Sequence, residues 1–248
     1  MIRGRVFRAG LDVAARPLLF AGGVSTIIVG FLALDHFASS SQQLLIGAAT
    51  WAALLAACLP LSAEDRARVA VVVVVATTAE VLGSMVIGAY EYRLGNLPAF
   101  VPPGHGLVYL AGLRISESAL VRRHRRAFLG AAIAIVAAWG IAGLALLGRA
   151  DTLGAACGAV LIYVMVRGRA PTLYAGVFIM VALLEIYGTA IGSWSWVQIV
   201  PGTPLPSGNP PSGIAGAYVL FDIAAIALAP RLIGWFGALR RLRPRLAG

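Results

Sequence analysis

Five ionisable residues, Glu80, Arg114, Glu117, Glu185 and Asp222, interrupt apolar runs long enough to cross a bilayer. A charged group in hydrocarbon is costly, so such residues turn toward the interior of a helix bundle and by default mark a site. The chemistry open to a buried carboxyl is proton transfer: it can protonate carbon or oxygen, or position and activate water. Helical rise sets their depths. Glu80 lies ten residues before Tyr90 and Arg114 ten after Gly104, which places both about 15 Å below the outer surface. Glu185 lies nine before Trp194 and Asp222 nine after Gly213, giving about 13 to 14 Å. All four are expected in one layer.

Within that layer Arg114 is available to neutralise Glu80, so the first pair is expected to be structural. No base is available for Glu185 or Asp222, so a carboxyl there is expected to hold a proton and act as an acid. The candidate catalytic residues are therefore Glu185, Asp222, Glu80 and His105. His105 could shuttle protons or bind a ligand at the outer mouth, or be a helix-start histidine satisfied by backbone. Asp35-His36, at the outer end of the first apolar run, could join it. Tyr90, Tyr92, Arg114, Tyr187, Trp194, Trp196 and Tyr218 are the candidate substrate-binding residues. Three histidines without metal-ligand spacing argue against a haem or metal centre, and Cys58 and Cys157 differ too much in depth to pair. No Walker loop, nucleophile elbow or His-Glu-x-x-His motif is present, and no cofactor is expected.

The elements that must position these groups are membrane helices. Apolar residues make up 60% of the 248 and charged residues only 12%, about half of what a soluble domain carries. The net charge of +10 is spread as punctuation between apolar runs, which excludes a nucleic-acid groove. All 20 basic residues are arginine, which fits a GC-rich coding bias and has no functional weight. The candidate spans are 17–37, 42–61, 67–90, 104–121, 127–148, 152–167, 171–193 and 213–230. With the N-terminus inside, 17 of the 20 arginines fall in cytoplasmic segments, Arg93 and Arg149 fall outside, and Arg114 lies within a span. A plasma-membrane protein with both termini in the cytoplasm is expected. The initial basic stretch and apolar run read as a retained first helix rather than a cleaved signal.

An internal duplication organises the spans. Glu80-Val81-Leu82-Gly83-Ser84 matches Glu185-Ile186-Tyr187-Gly188-Thr189 at an offset of 105 residues. Each is followed by aromatics spaced by two, Tyr90/Tyr92 and Trp194/Trp196, then by a loop with a Pro-Pro pair, Pro102-Pro103 and Pro210-Pro211. An i, i+2 aromatic pair does not share a helix face, so the chain is expected to leave helical geometry there. The expected fold is all-α, with about eight transmembrane helices in two parallel four-helix repeats, 17–121 and 127–230, joined by the arginine-rich linker 122–126. A basic N-terminus, 1–16, and a basic amphipathic tail, 231–248, suited to anionic inner-leaflet lipid, flank them. The proline-rich loops are expected to fold over the outer mouth of the bundle.

Glu80-x-x-Gly83, Gly88-x-Tyr90-x-Tyr92, Leu94-Gly95 and Val101-Pro102 resemble the motif region of the polytopic carotenoid hydratase family, over about 25 residues. The resemblance implies a fold that adds water across a terminal double bond of a linear carotenoid, with Glu80, Tyr90 and Tyr92 lining the substrate region. The His105 segment and the second repeat have no counterpart in that pattern. A membrane lipid or isoprenoid is the expected ligand, bound or modified in an intramembrane pocket. The alternatives are a proton-coupled transporter or channel with midplane carboxylates, and a non-catalytic subunit of a membrane complex; an oligomer stays open. Residues 69–76 and 173–183 are almost wholly apolar, which disfavours a polar route through the membrane.

Overall fold

Apolar residues are turned outward over most of this molecule, as they are in a protein solvated by lipid. The computed structural model describes residues 16–146 and 148–242, without the side chains of 236–242. Arg3, Arg5 and Arg8 of the basic N-terminus, and Arg243 and Arg245 of the tail, lie outside the described residues.

Helix α1 spans Pro17–Phe37 and opens on a proline, whose missing N–H is no loss in a first turn. Helix α2, Ser40–Cys58, starts at a capping box between Ser39 and Gln42. Helix α3, Ala63–Glu80, is capped by Ser62 and runs on as a π-helix over Val81–Ile87. Strand β1, Tyr90–Tyr92, follows, then α4, Val101–Glu117, and the short α5, Ala119–Arg123. The second part holds α6, Arg125–Ala145, α7, Thr152–Arg167, α8, Pro171–Ala190, strand β2, Trp194–Trp196, and α9, Ala215–Leu242.

Six of these helices are long and apolar enough to cross a membrane: α1, α2, α3 with its π extension, α6, α8 and α9. The other two of the eight expected spans, α4 and α7, are shorter. Helix α4 has 17 residues and α7 has 16, each spanning about 25 Å against a hydrocarbon core of about 30 Å. Helix α4 is also enclosed by protein on almost every face, so it is a core helix of the bundle. It crosses α8 at two glycines. A Cβ on Gly176 would meet the Gly112 carbonyl oxygen at 2.5 Å, so only glycine allows this approach. Around this central pair, α3 packs chiefly on α9 and α1 on α4. Helix α9 passes through Pro230 without a break and carries on into the first part of the basic tail.

Successive helices alternate in direction, so the connections form two ends. One carries Arg66, Arg68, Arg122, Arg123, Arg125, Arg126, Arg167, Arg169 and Arg231 and is called the arginine end. At the other, the hairpin end, β1 and β2 pair antiparallel, Tyr90 opposite Trp196, Glu91 opposite Ser195 and Tyr92 opposite Trp194. Strand alternation sends the four aromatic side chains to one face and leaves Glu91 and Ser195 exposed on the other. This ladder is the reason for the i, i+2 aromatic spacing.

Candidate functional site

The inward face of the ladder meets two glutamates. Glu80 Oε2 accepts hydrogen bonds from the Tyr90 hydroxyl at 2.6 Å and the Tyr92 hydroxyl at 2.7 Å, and its Oε1 lies 2.9 Å from His105 Nε2. Glu185 Oε2 accepts from the indole N–H groups of Trp194 at 3.0 Å and Trp196 at 3.1 Å, and its Oε1 from the Tyr218 hydroxyl at 3.3 Å. Each carboxyl thus has one oxygen held by both aromatics of its own strand. The other oxygen is held by a ring from the helix that follows.

Local sequence makes this geometry available. Gly83 and Gly188 sit three residues after their glutamates, one helical turn on, where a Cβ would strike the Tyr90 ring at 2.9 Å and the Trp194 ring at 2.0 Å. Glycine is therefore the space into which each ring folds back toward its carboxyl. The turns into the strands use Gly88 and Gly192, both left-handed with φ of 72° and 74°. The π-helix adds a residue per turn just after Glu80, and such insertions recur at functional sites.

Polar clamps hold the hairpin end down. The Arg93 guanidinium donates to the Asp35 carbonyl and, at 2.7 Å, to that of Ala38, while Asp35 Oδ1 accepts from Gln43 Nε2 at 2.8 Å. Arg149 donates to the Trp196 carbonyl at 2.9 Å. Asp151 accepts from the backbone N–H groups of Gly154, Gly208 and Ser212 at 2.9, 2.8 and 2.6 Å, and Asn209 accepts from the Trp196 N–H at 3.0 Å. The two arginines expected outside the cytoplasm both act as loop clamps. Asp151 was not among the sequence candidates. Its readable signal is the N-cap position before α7.

Both glutamates line one cavity of about 390 Å³, within the range of small-molecule sites. Its wall runs from Ile28 and Leu32 of α1 to Leu153 and Cys157 of α7, and apart from the carboxyls and their donors it is almost entirely apolar. Glu80 and Glu185 are bridged across it by ring pairs. Tyr90 and Trp196 are 4.5 Å apart between centroids, and His105 and Tyr218 5.1 Å. Burial, reinforced by the neighbouring Glu80, holds the Tyr90 and Tyr92 hydroxyls well above the ordinary tyrosine value, so both remain donors.

The structure brings together Glu80, Glu185, His105, Tyr90, Tyr92, Trp194, Trp196 and Tyr218. It does not bring Arg114 to Glu80. Arg114 pairs with Glu117 on its own helix at 2.8 Å, and the expected ion pair is replaced by His105. The strands fold back, so Tyr90 touches Glu80 instead of standing ten residues of rise above it. The first turn of α4 therefore lies level with Glu80, and Arg114, nine residues beyond His105, is about 13 Å farther toward the arginine end. Asp222, one turn beyond Tyr218, does not line the cavity, and its buried Oδ2 has no hydrogen-bond partner among the described residues. Tyr187 is half-buried and outside the lining. His36 does not join His105; its Nδ1 lies 2.7 Å from the Ile191 carbonyl oxygen.

Chemically, the two carboxyls differ in what they face. Indole N–H groups only donate, so Glu185 Oε2 is fixed as an acceptor. His105 Nε2 can donate to an ionised Glu80 or accept from a protonated one. Comparison with family models, with characterised proteins and with solved structures gives no match for this chain.

Proposed function

We propose that this chain is a membrane-embedded enzyme that adds water to, or isomerises, a carbon–carbon double bond of an isoprenoid or similar lipidic substrate. One observation carries this reading: two carboxyls, each positioned by three donors, line a single apolar cavity. Alkene hydration needs an acid to protonate carbon and a second group to orient water and remove its proton. Glu185, whose three donors include no histidine, is assigned as the acid. Glu80 with His105 is assigned to the water. The matching donor patterns around Glu80 and Glu185 support reading the halves as parallel repeats about an axis along the membrane normal. By the positive-inside rule the arginine end faces the cytoplasm of a plasma-membrane protein, and the hairpin end is the outer mouth.

Proton-coupled transport would need a polar route onward to the arginine end, and the stretches 69–76 of α3 and 173–183 of α8 offer only Tyr174. The test is turnover of a linear isoprenoid polyene by the protein in lipid nanodiscs, read by mass spectrometry as gain of one water or as a double-bond isomer. Conversion lost in Glu185→Gln supports the reading. A wild-type protein that binds the polyene and never changes it overturns the reading.

A further inference from the structure

Aromatic rings surround the space between the two carboxyls: Tyr90, Tyr92, Trp194, Trp196, Tyr218 and Phe221 all line the cavity. The phenol O–H and indole N–H groups lie in their ring planes and are directed at the glutamates, so the carboxyls engage ring edges and not ring faces. The ring pairs are also tilted, Tyr90 against Trp196 by 42° and Tyr218 against Phe221 by 48°, so no pair is stacked flat in a way that uses up its faces. A ring face attracts a cation within about 6 Å of its centroid. Neighbouring centroids here are 4.5 to 6.1 Å apart, so a centre lodged among them is in range of several rings at once. No arginine side chain lines the cavity among the described residues, and His105 is the basic group in its wall.

We infer that the cavity is a site for a cationic centre carried on an apolar chain, with the rings and the two carboxyls as its counterpart. The inference deepens the proposed reaction and rests on the reading that the cavity takes an apolar chain. Protonation of an alkene carbon by the Glu185 carboxyl forms a C–H bond, uses the π electron pair and leaves a carbocation on the adjacent carbon. Water then forms the C–O bond, and its proton passes to the Glu80–His105 pair. One water is added, nothing is oxidised or reduced, and the proton gained by the pair replaces the one Glu185 gave up once it is passed back, which resets the site. The same site would hold a ready-made alkylammonium group, which has the same charge and a similar shape.

The experiment uses the full chain in nanodiscs of neutral phosphatidylcholine, titrated with tetradecyltrimethylammonium and with its uncharged carbon isostere, 2,2-dimethylhexadecane. Wild type is expected to bind the ammonium at least about tenfold more tightly than the isostere. Tyr90→Leu and Trp196→Leu, which keep both carboxyls, should each lower that ratio several-fold, while Tyr218→Phe, which keeps the ring, should retain it. Equal binding of both probes overturns the cationic site and leaves the apolar pocket standing. Binding of neither overturns the pocket itself. An undiminished ratio in correctly folded leucine variants shows that the carboxyls act alone and overturns the aromatic cage. The source of the charge is separated by the polyene assay: competitive inhibition by the ammonium marks a transient carbocation, and ammonium flux into liposomes without turnover marks a ready-made ligand.

Discussion

The six-membered ring of Trp194 lies where a side chain of Gly188 would begin, at 2.0 Å from the position of its Cβ. The rigid indole is pinned at its other end to Glu185. Gly188→Ala is therefore expected to displace Trp194 and break that hydrogen bond, lowering stability by about 1 to 3 kcal/mol as core overpacking does. In Gly83→Ala the clash is with the outer edge of the Tyr90 ring at 2.9 Å, and Tyr90 is only half-buried, so the loss should be smaller. Thermal unfolding of both variants in detergent decides the order. Equal stability of Gly188→Ala and wild type would show that the glycine is not what seats the ring.

How far that pair was legible in the sequence is instructive. Glu-x-x-Gly and the i, i+2 aromatics are visible as a repeated pattern, and the alternation of side chains in a strand follows from them. That the rings return to the glutamates is not visible, because rise per residue gives depth only while the chain stays helical. The misplacements of Arg114 and Asp222 follow from that assumption. Arg114 is level with Glu80, and Asp222 with Glu185, only if the loop between each pair stays at the surface. The Arg114–Glu117 pair could have been read from its i, i+3 spacing alone. Asp151 holds the backbone of Gly208 and Ser212, and Gln43 the side chains of Asp35 and Asn96, contacts that only the folded ends create.

The Asp222 side chain shows how far the roles shifted. Its buried Oδ2 lacks a partner and it stands outside the cavity, so it contributes a polar group that the fold must bury without return. Replacement by leucine should leave turnover unchanged and raise stability by about 1 to 3 kcal/mol, the size of an unsatisfied buried polar group. A stability scan beside the polyene assay tests both halves of this. Loss of turnover in a stable Asp222→Leu protein would return this residue to the catalytic set.

Arginine placement makes a topological prediction. In a Cys-free background, a single cysteine at Arg123 should react with an impermeant thiol reagent only from the cytoplasm, and one at Glu91 only from outside, because both positions are exposed at opposite ends. External labelling at residue 123 would invert the orientation.

The roles of the two glutamates are separated by what their donors tolerate. A glutamine at 185 can turn its carbonyl oxygen to the indole N–H groups and its NH2 to the Tyr218 hydroxyl, which can accept, so the donors stay satisfied. A glutamine at 80 can likewise face the two tyrosines with oxygen and a neutral His105 with nitrogen. Neither change leaves an uncompensated arginine, because Arg114 is paired with Glu117, so both variants should unfold within about 1 kcal/mol of wild type. Glu185→Leu and Glu80→Leu, by contrast, strand buried donors and should each lose about 1 to 3 kcal/mol or more. With folding preserved, Glu185→Gln is expected to abolish conversion of the polyene while still binding it, since the acid is gone and the cavity is not. Glu80→Gln should slow conversion less, because Glu185, which protonates the carbon, is kept. Unfolding curves, polyene binding and turnover on the same four preparations test the assignment. A Glu80→Gln protein that is inactive beside a fully active Glu185→Gln protein would exchange the acid and the water-positioning group.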